Sequence, residues 1–115
     1  MLLDQMVEAL VDTYWRAKTE RPDVTRALYR SVVELDNAAL IEVFAGRVDA
    51  ATAAMLASAA DASFADIESV NLTLVTVIFG AVRNAFERNL AAAANDALQV
   101  QLLLMCRSYL RAAAA

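Results

Sequence analysis

The chain has 115 residues, a formal net charge of −4, a pI near 4.6, one cysteine and no histidine. An acidic chain lacks the basic stripe that nucleic-acid binding needs, and it gains nothing from an anionic membrane surface. Without histidine there is no Ser-His or Cys-His pair and no common zinc ligand set, and a lone Cys106 permits no internal disulfide.

The N-terminal "MLLDQMVEAL" carries Asp4 and Glu8 without a basic start, so it is not read as a signal peptide. Met1 to about Glu20 has helical period: Leu3, Met6, Val7, Leu10, Val11 and Tyr14 share one face, with Asp4, Glu8, Asp12 and Arg16 off it. The glutamate and aspartates at i, i+4 read as a solvated face, not as a catalytic pair. "TERPD" breaks this helix, because Pro22 cannot continue it and suits the first turn of the next. A second helix then runs to about Leu35, with Val24, Leu28, Val32 and Leu35 as its stripe.

In "ELDN", Asp36 or Asn37 caps a third helix whose stripe is Leu40, Ile41, Phe44, Val48, Ala51 and Met55. Its alanine-rich end suits either close helix contact or a solvent-facing helix of high propensity. Ser63 and Asp66 in "DASFAD" resemble a capping box before a fourth helix, about Phe64 to Asn89. "AAAAND" leads to a fifth, roughly Asp96 to Ala112. Only two glycines and one proline are present, fewer than a sheet protein needs for its turns. The expected fold is all-α: one five-helix domain over residues 1–115, an orthogonal bundle.

The fourth helix contains the most apolar run, "LVTVIFGAVRNAF". A membrane span is set aside on length, because only 14 uncharged residues separate Glu68 from Arg83 and a span needs about 20 predominantly apolar ones. A strand is set aside because no second strand is available to pair with it. As a helix it has two apolar faces, Val70/Leu74/Val77/Ala81 and Val75/Phe79/Val82/Phe86, and a narrow stripe of Ser69, Thr73, Thr76, Gly80 and Asn84. Leu98, Leu102, Met105, Cys106 and Tyr109 form the corresponding face of the fifth helix. Five helices cannot cover both faces of the last two. The simplest second partner is another copy, so the last two helices of each chain are expected to form a four-helix bundle at a homodimer interface. The aromatic face is assigned to the partner, giving Val75, Phe79, Gly80, Val82, Phe86, Leu102, Met105 and Tyr109 as interface candidates. Gly80 serves close helix approach there. Arg83 either bridges to an acid across the interface or extends its head to water. Cys106 reads as a small buried hydrophobe.

A proline-bounded pair of helices in "ERPDVTRALYRSVVELD", a longer helix with an alanine-rich end, and two apolar helices closing in "MCRSYLRA" together resemble the C-terminal effector and dimerisation domain of the tetracycline-repressor (TetR) family of regulators. The resemblance covers nearly the whole chain and rests on helix order, length and hydrophobic pattern. It implies a bacterial, cytoplasmic regulatory module without catalysis, cofactor or metal. The family's basic helix-turn-helix head has no counterpart here, so DNA contact is implied for the parent protein and for no residue of this chain. A small apolar effector is implied in a cavity with Tyr14, Tyr29, Phe44, Met55 and Leu74 as lining residues and Met6 and Leu10 at its edge. Each of these also fits ordinary core packing. Trp15 either flanks the pocket mouth or packs against a linking helix. The competing expectation is a helical dimerisation or scaffold module with no ligand, which a dry, filled core would favour.

Overall fold

The computed structural model describes residues 1–20 and 38–115. Among them are four helices, α1 (Leu3–Thr19), α2 (Ala38–Ala57), α3 (Ile67–Glu87) and α4 (Ala92–Ala113), and no strand. The helix expected to end near Leu35, its stripe, the caps Asp36 and Asn37, and Tyr29 fall outside the described residues, so four of the five expected helices are described.

Several helix boundaries have an identifiable cause. At the start of α1 the Leu2 N–H donates to Gln5 Oε1 at 3.0 Å. The Leu3 N–H donates to Asp61 Oδ1 at 2.8 Å, so a carboxylate from the α2–α3 connection caps a helix 58 residues away. The same connection is tied back by Ala60 N–H to the Met1 carbonyl at 3.1 Å. Helix α3 starts at Ile67, three residues later than the Ser63/Asp66 pair suggested, because Asp66 is itself the cap: its carboxylate accepts from Ser69 N–H at 3.2 Å. Ser63 instead offers its carbonyl to Ala115 N–H at 2.7 Å.

Helix α3 ends in a Schellman turn. Asn89 takes φ 51°, its N–H donates to the Phe86 carbonyl at 3.2 Å, and the Leu90 N–H reaches the Ala85 carbonyl at 3.5 Å. Asparagine is the residue other than glycine that tolerates this backbone best. Helix α4 begins at Ala92 rather than Asp96, since alanine has the highest helix propensity and "AAAAND" extends the helix backwards instead of preceding it.

Helix α3 packs against all three others and is the centre of the fold. The core takes Val7, Leu10, Val11 and Trp15 from α1, Leu56 from α2, Val70, Leu74, Ile78 and Val82 from α3, and Leu102, Cys106 and Leu110 from α4. Trp15, only 7% exposed, is thus a core residue, which neither expected position anticipated. Along α1 the acidic positions face α4: Asp4 pairs with Arg111, Glu8 lies 3.8 Å from Arg107, and Asp12 accepts from Gln99 Nε2 at 2.8 Å. That order makes α1 and α4 antiparallel. Asn71, buried on α3, donates to the Asp49 carbonyl of α2 at 3.0 Å.

Length does not set a membrane span aside after all: the 21 residues of α3 are long and apolar enough to cross one, although buried core helices of soluble proteins pass the same test. Here it carries seven buried residues and packs against each of the other described helices.

Candidate functional site

Two concave features lie on opposite sides of the core. The first is a cleft of about 200 Å³ between α1 and α2, lined by Ala9, Leu10, Thr13, Tyr14, Ala51, Thr52 and Met55. None of these residues is charged. Three of its side chains carry hydroxyl groups, Thr13, Tyr14 and Thr52; Tyr14 Oη and Thr52 Oγ1 are 3.3 Å apart, and Thr52 is 2% exposed. Tyr14 also touches α3, since its ring meets that of Phe79 edge-on. One side chain therefore connects the cleft to the central helix.

The expected lining residues divide. Tyr14 and Met55 come together in this cleft, and Leu10, expected at its edge, lines it too. Met6 is fully buried in the core. Phe44 is 55% exposed on the N-terminal half of α2, where the expected stripe wanted it buried. Of that stripe, the Leu40 and Ile41 side chains are outside the described ones, and the residue that seals α2 against the core is Leu56, at 0% exposure. Leu74 is buried facing the other side of the molecule. Thr52 was missed, although a hydroxyl three residues before Met55 in an otherwise alanine run was a signal: a buried hydroxyl needs a partner, and Tyr14 is it.

The second feature is an apolar groove of about 150 Å³ between α3 and α4, lined by Thr73, Leu74, Val77, Met105, Cys106 and Tyr109. It opens onto a surface where Val77 is 37% and Met105 61% exposed, with Leu104 exposed alongside. Gly80 lies on this side, exposed, and a Cβ built there would meet nothing within 4 Å. Among the described residues, no packing requires a glycine at that position.

The residues assigned to a partner are distributed differently from expectation. Val75, Val82 and Leu102 lie in the chain's own interior, at 5%, 1% and 2% exposure, and are not available to a second molecule. Phe79 and Phe86 are half-buried. Gly80, Met105 and Tyr109 are on the open side. The physical reason is the position of Ile78, which is fully buried between the two presumed faces. Leu74 and Val75 precede it and Val82 follows, so the two faces are the flanks of one broad core face, the wide apolar stripe usual for a core helix. The side left open carries the small-residue stripe with Val77 at its margin. Arg83 pairs with Glu87 of its own helix at 2.8 Å, and both side chains are well exposed, so this pair adds little stability. Cys106 is buried, and burial pushes its thiol up to about 11, which leaves it protonated and a poor nucleophile at neutral pH.

A family model described as "Tetracyclin repressor-like, C-terminal domain" matches residues 3–110, nearly the whole chain. No curated protein and no solved structure gives a significant match.

Proposed function

We propose, on the premise that this chain belongs to the tetracyclin repressor-like C-terminal domain family, that it is the ligand-sensing, dimerising module of a cytoplasmic transcriptional regulator. A second copy covers the open face of α3 and α4. A small, largely apolar effector occupies the α1–α2 cleft. DNA contact falls to the helix-turn-helix head that the family carries ahead of this domain, and the module itself is regulatory rather than catalytic.

The observation that carries this reading is the open face. Val77 and Met105 stand exposed on either side of an apolar groove, next to a glycine that packing among the described residues does not use. Apolar helix faces of this kind mark interaction surfaces, and the same surface on a two-fold mate is self-complementary. A stable interface buries more than about 1,200 Å² in total, which two long helices from each chain can supply. In this reading Gly80 lets the mates approach. It accepts the cost of about 1 kcal/mol that glycine carries relative to alanine in a helix.

The test is an isotope-filtered NMR experiment on a mixture of labelled and unlabelled chains. Intermolecular contacts are expected at the Val77 and Met105 methyl groups and not at Val75 or Val82. Contacts at Val75 and Val82, or none anywhere, would refute the assignment.

One observation favours the second reading, a dimerisation module without a ligand. The cleft holds about 200 Å³, below the roughly 300–1,000 Å³ usual for small-molecule sites. The two readings share the dimer and part company at the cleft.

A further inference from the structure

Resting on the ligand-sensing reading, we infer that the α1–α2 cleft selects a neutral small molecule that presents one acceptor oxygen, such as a carbonyl, to the Tyr14–Thr52 hydroxyl pair. Each hydroxyl carries one O–H and two lone pairs. Whichever of the two donates to the other, one O–H is left over. Neither hydroxyl has another hydrogen-bond partner among the described residues. The mutual bond is also long: 3.3 Å against a usual O–H···O distance of about 2.7–2.8 Å. A pair held so loosely yields readily to a better acceptor, and Thr52, at 2% exposure, is already withdrawn from solvent.

The rest of the lining sets the remaining terms. Leu10, Met55, Ala9 and Ala51 offer apolar contact only. No lining residue among those described can neutralise a carboxylate or an ammonium, and burying either unpaired is costly. The ligand is therefore uncharged. Its binding is felt at α3, because Tyr14 leans on Phe79 there with ring centroids 4.6 Å apart.

Three probes of similar shape test this: acetophenone, ethylbenzene and benzoate, titrated into the ¹⁵N-labelled chain while the amide signals of residues 9–14 and 51–55 are followed. Acetophenone is expected to bind about 2- to 10-fold more tightly than ethylbenzene, the worth of one neutral hydrogen bond. Benzoate is expected to be the weakest of the three. In the double variant Tyr14→Phe/Thr52→Val the acetophenone-to-ethylbenzene ratio should fall to about one, with ethylbenzene binding retained as evidence that the cleft is intact. Equal binding of acetophenone and ethylbenzene by the wild type, preference for benzoate, or an unchanged ratio in the double variant would each overturn the chemistry and leave the ligand-sensing reading standing. If none of the probes moves these signals at millimolar concentration, the ligand-sensing reading falls and this inference with it.

Discussion

The ring of Tyr14 meets the ring of Phe79 edge-on, with centroids 4.6 Å apart and planes inclined at 64°. Hydrophobic pattern alone offered Phe79 to a second molecule. Within the chain the half-buried ring is also in contact with α1. Such aromatic pairs contribute about 0.5–1.5 kcal/mol beyond the area they bury. A double-mutant cycle on Tyr14→Leu and Phe79→Leu, measured by urea unfolding, should therefore return a coupling energy of that size. A coupling indistinguishable from zero would mean that the two rings do not meet in solution.

The Asp61 carboxylate, 2.8 Å from the Leu3 N–H, holds the first turn of α1 from across the fold. Asp61→Ala should destabilise the chain by about 0.5–2 kcal/mol, the usual worth of an N-cap. Asp61→Asn should cost only a few tenths, since asparagine caps about as well. Both comparisons need a fixed protomer concentration, because association adds to apparent stability. Equal losses for the two variants would assign the effect to charge rather than to the cap.

Cys106 gives the fold a pH dependence of known sign. Its thiol is raised from 9.0 to about 11 by burial, so between those values the unfolded chain has lost a proton that the folded chain keeps. Stability from this group is complete below pH 9 and is lost as pH rises toward 11, by at most roughly 2–3 kcal/mol. Cys106→Ala creates a small cavity and is less stable at neutral pH, but its stability should fall less steeply than that of the wild type over this window. Parallel curves for the two proteins would show that the thiol titrates normally in the folded state.

The helical class and the three later helices were legible in the sequence because each rests on a 3.6-residue repeat of apolar side chains. The positions of Val75 and Val82 were not. A periodicity shows that a helix is apolar over a wide arc, but the direction of the core within that arc is set by the neighbours. Ile78 is fully buried on a helix that packs against α1, α2 and α4, a fact about three other segments. Trp15 was hidden for the same reason: it lies at the edge of the α1 stripe, and its burial in the core is set by the other helices packed against α1. Leu56 looked like part of an alanine tail until α2 was placed. Caps were readable as residue types but not as pairings, since Asp61 serves a helix that begins far from it in the chain.

Sedimentation equilibrium of the wild type and Met105→Arg at micromolar concentrations tests the dimer most directly. Met105 is 61% exposed and lies outside the chain's own core, so arginine there should leave the protomer folded while placing an unpaired charge in the desolvated seam between mates, a penalty of several kcal/mol. The account predicts a dimeric wild type and a variant of normal helical content sedimenting as a monomer of about 12.4 kDa. A monomeric wild type, or a Met105→Arg variant that remains dimeric, would contradict it.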